Sequence, residues 1–472
     1  MGQRLSIAFV SALLALSGCM TIFNAQQAQQ ELAGKGRGSV SAREGRLDLS
    51  DYSLKELVDF AMTNRPSMVA AALAVADARL ALREIAADAP LVSYSPWTSP
   101  RLALSGGYAE SSTPDSPIKW KTSGNASAGL SLDILVYDFG RNEARACAQA
   151  EQVIAAECEF IRAGYAVFEE VSAAYFTLLE RDALLDVALT NEIEYALHLK
   201  QAEDRLAAGE AQKLDLARAR LDLSQARETV IAASNLVLTS GAELMRVLGV
   251  DASCGTCEEV YPLHFDTMSV ALRGFADTRE GVGPAFELAR TNAPVMAVAR
   301  ARLRAAAHAV DYAIADLMPS VSAEVGISWA DPLWVWHWGV SAVQSVFQGF
   351  RKTTAVDRAV VAMKSAAVAV DENEQQISLE LEIAVANRDN AVKARETARA
   401  SVAAARENLD MVKQQYLEGE ASRVDFTDSV SDYATALGNR ASAFYRGQIA
   451  EARLFALTGR VPEYREEEVR AK

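Results

Sequence analysis

The chain is poor in the residues that carry out chemistry. Its four histidines (His198, His264, His308 and His337) are scattered without metal-ligand spacing, and no phosphate-cradling glycine loop or nucleophile motif occurs. An enzyme is therefore the weakest reading, and no cofactor or metal is expected. Positive charge is in deficit too, with 47 Lys and Arg against 62 Asp and Glu and a net charge of −15. No basic patch dominates, which argues against a nucleic-acid partner. Aromatic residues make up 7% although half of the chain is hydrophobic. Much of that half is alanine, which favours long helices over a dense Leu/Ile/Phe core. Proline is missing from 118–261 and from 333–461, so helices there can run unbroken.

What is present is written twice. Residues 61–68 (Ala-Met-Thr-Asn-Arg-Pro-Ser-Met) and 289–296 (Ala-Arg-Thr-Asn-Ala-Pro-Val-Met) agree at five of eight positions, at an offset of 228. A second correspondence at an offset of 210 pairs Arg141 with Arg351 and Gly209-Glu210-Ala211 with Gly419-Glu420-Ala421. It also pairs Asp215 with Asp425 and Gly249 with Gly459. The difference of 18 is absorbed between Pro90 and Tyr137. Each copy, 54–250 and 285–460, predicts an opening helix (about 54–88 and 285–317) with Pro just inside it. A long helix follows (141–208 and 351–418), which at about 68 residues would be a rod of roughly 100 Å. Gly209 and Gly419 break the rods, and return helices run over 210–249 and 420–459. Segments 251–284 and 461–472 are an inter-repeat segment and a tail.

Between opening and long helix the period changes. Val321-Ser-Ala-Glu-Val-Gly-Ile-Ser-Trp329 alternates with apolar residues at odd positions. Ala126-Ser-Ala-Gly-Leu-Ser-Leu-Asp-Ile-Leu-Val136 keeps apolar residues at every even position. Nine to eleven residues of dyad period suit a tilted transmembrane strand, giving hairpins at about 101–137 and 320–347. All six tryptophans (Trp97, Trp120, Trp329, Trp334, Trp336 and Trp338) fall here, as an interfacial girdle at strand ends requires. The alternative is a soluble hairpin domain with a Trp core. The polar stretch Glu110 to Lys121 predicts a long outer loop, and Asp331-Pro332 a shorter one. Four strands cannot close a barrel, and open edges are not tolerated in lipid, so the chain must oligomerise. Three copies would give twelve strands.

Five cysteines complete the inventory. Cys254-Gly-Thr-Cys257 reads first as a short-loop disulfide. A thioredoxin-like redox site would need a βαβ surround, and zinc would need two more ligands where only His264 is near. Cys147 and Cys158 share a helix face about 16 Å apart, too far to pair, and are expected to be small buried residues. Residues 5–16 (LSIAFVSALLAL), after Arg4, have signal-peptide length and are too short to span a membrane. Leu16-Ser17-Gly18-Cys19 resembles the lipobox of bacterial lipoproteins. That implies a signal peptide over 1–18 and an acylated segment over 19–53 beginning at Cys19. Met20 is not the Asp associated with inner-membrane retention, so the outer membrane is implied.

Together these elements resemble the TolC-like outer membrane efflux family from about Leu54 to Gly459. The carriers are Asn64-Arg-Pro66 and Asn292-Ala-Pro294, the strand entries at Pro90 and Pro319, and the corners Tyr137-Asp-Phe-Gly-Arg141 and Phe347-Gln-Gly-Phe-Arg351. The corners are similar to the family's Leu-Phe-Asp-Gly-Gly-Arg signature, the second departing by Phe350. The tips Arg205-Leu-Ala-Ala-Gly209 and Tyr416-Leu-Glu-Gly419 complete the set. The resemblance implies a mainly α fold with a small transmembrane β part. Trimerised, it would form a twelve-stranded barrel continuous with a periplasmic α-helical barrel. It further implies an outer-membrane channel subunit of a tripartite efflux or type I secretion system. Substrate would pass passively from a periplasmic adaptor (membrane fusion protein) and an inner-membrane pump or exporter. The serious rival is a structural coiled-coil lipoprotein.

By the same resemblance Asp425 and Asp428, one helical turn apart, would ring a periplasmic gate, raising one another's pKa values. A solvated helix face is the alternative. An inter-hairpin lock would use Tyr416 and Asp215, with Arg423 or Arg218 standing in for an Arg where Ala421 is found. Adaptor docking would use Leu206, Ala208, Gly209, Glu210 and Leu214 on one tip. On the other it would use Leu417, Glu418, Gly419, Glu420 and Val424.

Overall fold

The computed structural model describes residues 53–87, 101–116, 119–208, 212–250, 268–273, 282–330, 333–345, 347–418, 420–460 and 463–468. Cys19, Trp97, Gly209, Glu210, Cys254, Cys257 and Gly419 lie outside these residues, as do segments 1–18 and 19–52.

The first copy consists of α1 (Leu54–Asn64), α2 (Pro66–Ala87), β1 (Arg101–Ser116), β2 (Lys119–Tyr137), α3 (Arg141–Ala207) and α4 (Lys213–Leu248). The second repeats this order with α5 (Val282–Asn292), α6 (Pro294–Ala315), β4 (Ser320–Ala330), β5 (Leu333–Val343), α7 (Arg351–Glu418) and α8 (Arg423–Thr458). Between them lies β3 (Met268–Arg273), which pairs with the tail strand β6 (Glu463–Glu468). Matching helices agree closely in length: 11 and 11, 22 and 22, 67 and 68, 36 and 36 residues. At 1.5 Å per residue α3 and α7 are each about 100 Å long.

Each opening helix is two helices rather than one. Arg65 (φ −70°, ψ 129°) and Ala293 (φ −61°, ψ 127°) are extended and separate α1 from α2 and α5 from α6. The following Pro66 and Pro294 cause this, because a proline ring clashes with a helical residue before it. The return helices also start later than 210 and 420. Ser422 and Asp425 form a reciprocal cap, with Asp425 N–H donating to Ser422 Oγ at 3.2 Å and Ser422 N–H to Asp425 Oδ2 at 3.1 Å. That cap fixes the first turn of α8 at Arg423. In the first copy Gln212 N–H donates to Asp215 Oδ2 at 3.3 Å.

Two compact units divide these elements. One takes α1, α3 from Thr177 onward, and α4; the other takes α2, the four-stranded sheet, α3 as far as Phe176, and α5 to α8. In the first, Leu54, Leu57 and Ala61 of α1 are buried, as are Leu244, Val247 and Leu248 of α4. In the second, α7 packs on α6 and α8, and Met296, Leu381, Leu454 and Phe455 are buried.

A joint recurs in both copies. The return helix ends on a left-handed glycine, Gly249 (φ 79°) or Gly459 (φ 64°). Each glycine lies against the proline break of its own copy. A Cβ on Gly459 would sit 2.6 Å from the Asn292 carbonyl oxygen, and one on Gly249 would sit 3.3 Å from Arg65 Cα. Glycine suits the left-handed backbone at both positions, and at Gly459 the close approach leaves no room for a Cβ. Tyr165 locks the second joint by donating its hydroxyl to the Gly459 carbonyl at 2.8 Å.

Candidate functional site

The four strands form one antiparallel sheet in the order β1-β2-β4-β5. Its register gathers most of the large apolar side chains on one face, although Leu135, Leu333, Val335 and Val343 fall on the other. Leu102 stands opposite Leu132, Leu104 opposite Leu130, Leu132 opposite Val325 and Leu130 opposite Ile327. Ile327 in turn stands opposite Trp336, Val325 opposite Trp338, and Trp329 opposite Trp334. The other face pairs Arg101 with Asp133, Ser322 with Ser341 and Gly326 with His337. The His337 ring covers Gly326, where a Cβ would lie 2.6 Å from it, and reaches Glu324 at 3.6 Å. One apolar face and one polar face is the pattern of a barrel wall between lipid and water. Trp336 and Trp338 are 74% and 73% exposed, so no Trp core among the described residues covers them.

The tryptophans are not all at strand ends. Trp120 is the second residue of β2, and Trp329 and Trp334 flank the β4–β5 turn; Trp336 and Trp338 run inward along β5. Residues 110–116 and 119–121 of the stretch expected to be a loop are strand. They continue the β1–β2 ladder, Glu110 opposite Gly124 and Thr113 opposite Lys121, as far as Ser116 opposite Lys119. A ladder needs only backbone groups, so polar side chains do not end it.

Strand-to-helix corners close the other end of the sheet. Each places two consecutive residues in left-handed backbone: Phe139 and Gly140 (φ 56° and 81°), then Gly349 and Phe350 (φ 60° and 63°). Both corners thus depart from a Gly-Gly pair, the first as well as the second. A non-glycine residue in this conformation costs roughly 1–2 kcal/mol. Asp138 is buried and accepts from Asn142 N–H at 2.8 Å, capping α3. Asp316, at the end of α6, receives Arg141 and Lys352, each at 3.4 Å, and ties the two corners together.

The helices line up as the strands do. Gln149 of α3 donates to the Ala78 carbonyl of α2 at 3.3 Å, and Arg79 pairs with Glu157 at 2.6 Å. On its other side α3 meets α6 through Arg302–Glu159 and Arg304–Glu151, both 2.8 Å, and α6 packs on α7. The order α2-α3-α6-α7 leaves Val69, Leu73 and Leu80 of α2 exposed, and likewise Val361 and Val368 of α7. Cys147 and Cys158, expected to be buried, are half-buried free thiols, because one chain leaves much of α3 open. Burial raises the Cys158 pKa, with a further push from Glu157.

At the tip of the second helix pair, Tyr416 stacks on buried Phe426 at 5.1 Å, and Ser429 Oγ donates to the Phe426 carbonyl at 2.8 Å. Glu418, Glu420, Val424, Asp425 and Asp428 are exposed there, Arg423 is half-buried, and Leu417 belongs to the last turn of α7. The two hydrogen bonds from Ser422 hold the Asp425 carboxyl below its ordinary pKa. At the first tip Leu206 and Asp215 are half-buried, while Ala208, Leu214 and Arg218 are exposed. Sequence reasoning missed the Tyr416–Phe426 stack. The spacing of ten residues across a helix break gives no periodic signal for it.

Comparison with known proteins places this geometry. No curated protein sequence matches the chain. The crystal structure of CusC superposes with a TM-score of 0.73 at 20% identity, covering 86% of this chain and 92% of CusC. VceC, an outer membrane protein of Vibrio cholerae, gives 0.71 at 17% identity over 86% and 96% of the two chains. The CmeC outer membrane channel of Campylobacter jejuni gives 0.71 at 15% identity over 86% and 85%. At these identities the likeness is one of fold. The sequence profile of a family described as outer membrane efflux protein matches residues 57–250 and 285–460. The chain belongs to the outer membrane efflux protein family, whose members are outer-membrane channel proteins.

Proposed function

We propose that the chain is one third of a passive conduit across a bacterial outer membrane, serving an inner-membrane pump or exporter through a periplasmic adaptor. The sheet with one apolar and one polar face carries this reading. Among the described residues its outer strands β1 and β5 have open edges, which lipid does not tolerate. The helix layer offers matching open apolar sides, α2 leading into β1 and α7 following β5. An interface of this head-to-tail kind joins one side of a copy to the other side of the next and closes into a ring. Three copies supply twelve strands. At 11 residues β4 is about 36 Å long, or about 28 Å deep at a tilt of ~40°, against a lipid-facing band of about 25 Å.

Acylation of Cys19 supplies a second hold on the outer membrane. Each buried methylene of an acyl chain contributes about 0.8 kcal/mol. The tips form the periplasmic gate and the adaptor-docking surface. Asp428 and Asp425 would line the constriction, and Tyr416, Asp215, Arg423 and Arg218 would hold the hairpins shut. Exposed Ala208 and Glu418 are the positions from which an adaptor is reached. The chain purified from outer membranes is expected to run as a trimer that shifts on heating, and photo-crosslinkers at 208 and 418 to capture a co-expressed adaptor. A monomer in native conditions, with adaptor labelling only at mid-helix positions, would overturn the proposal.

A further inference from the structure

Each strand-to-helix corner requires two consecutive left-handed residues, and each fills one with glycine and the other with phenylalanine, in opposite order: Phe139-Gly140 and Gly349-Phe350. What the two corners share is a phenyl ring held against strain that glycine would avoid. Packing inside the chain does not compensate for it, since the Phe139 and Phe350 rings are exposed. Each meets a second exposed ring, Tyr137 at 4.7 Å and Phe347 at 5.6 Å. A register shift between Leu135 and Tyr137 sets Tyr137 opposite Val321, on the apolar face that also carries Val325 and Ile327. Without that bulge the alternation of β2 would turn Tyr137 toward the polar face. Immediately beyond the rings come charges, with Arg141 and Lys352 paired to Asp316.

Aromatic rings at the line where an apolar surface gives way to charge are placed as membrane–water interface anchors are. Strained backbone of this kind persists where function holds it. We propose that the two corner aromatic pairs seat in the phospholipid headgroup zone on the periplasmic side of the outer membrane and set the depth of the sheet. The inference rests on the channel reading above.

The test uses the purified full-length oligomer in phosphatidylethanolamine/phosphatidylglycerol liposomes, with p-benzoylphenylalanine placed singly at positions 139, 350, 336 and 383. Lipid adducts are expected at 139 and 350, as at 336 on the apolar face of β5, and none at 383 on α7. Lipid adducts at 336 with only protein–protein adducts at 139 and 350 would show the rings packed against a neighbouring copy and overturn the proposal alone. No lipid adduct at 336 would overturn the channel reading with it. A Phe139→Gly/Phe350→Gly double variant keeps the backbone angles. It is expected to melt no lower in detergent while its insertion into liposomes falls several-fold. Unchanged insertion would contradict the anchor.

Discussion

Tyr416 and Phe426 stack at the tip of the second helix pair, and at the equivalent positions of the first pair stand Leu206 and Leu216. The acids one step further show the reverse. Asp425 and Asp215 are equivalent, and each accepts the backbone N–H at the start of its return helix. Asp428, in contrast, is matched by Arg218. The two tips therefore keep the cap and differ in the surface. A carboxylate present in both copies is explained by folding, because a helix start needs an acceptor for its unpaired N–H groups. A carboxylate in only one copy is not, which makes Asp428 the better candidate for work at the gate.

The largest expected difference between the tips lies in their aromatic brace. Phe426→Ala should cost about 3–5 kcal/mol of local stability, since a 3% exposed ring is removed. Leu216→Ala, at a half-buried position, should cost about 1–2 kcal/mol. Hydrogen exchange over the first two turns of α4 and α8 checks this, and equal losses would erase the contrast. Next come the joints. Gly459→Ala drives a Cβ into the Asn292 carbonyl and should cost about 3 kcal/mol, whereas Gly249→Ala, with more room, should cost about 1–2 kcal/mol. Thermal melts of the two variants compare them directly.

The smallest effect is the cap itself. Ser422→Ala should cost about 1 kcal/mol and return the Asp425 pKa upward toward its ordinary value. The sign follows from the depressed pKa. Folding favours the charged carboxylate, so the cap is fully present above the ordinary Asp range and is lost as pH falls through the lowered value. Protection of the first α8 amides should therefore vanish in acid, and earlier in the variant. Protection that is independent of pH would show that the cap is not ionic.

Much of the fold was legible because its signals are periodic. The dyad alternation of Val321–Trp329, the doubled Asn-X-Pro and the terminal glycines all lie in residue spacing. What escaped is what spacing does not encode. The breaks at Arg65 and Ala293 come from a clash acting on one residue, inside a helical pattern that continues on both sides. The polar ribbon past Tyr108 has the composition of a loop, although the ladder there depends on backbone alone. The bulge before Tyr137 shifts the register by one residue. The even positions of β2 look regular up to Val136 and hide it. The candidate gate residues follow from the family resemblance and carry no periodic signal of their own, and the caps of Asp215 and Asp425 depend on the three-dimensional start of each helix.

Single-channel recording of the purified oligomer in a planar bilayer tests the central claim most directly. Discrete, cation-selective conductance steps are expected, with a selectivity that falls when Asp425→Ala and Asp428→Ala are combined and with Asp428→Ala alone producing most of the change. A correctly folded, heat-modifiable oligomer that gives no steps would contradict that claim.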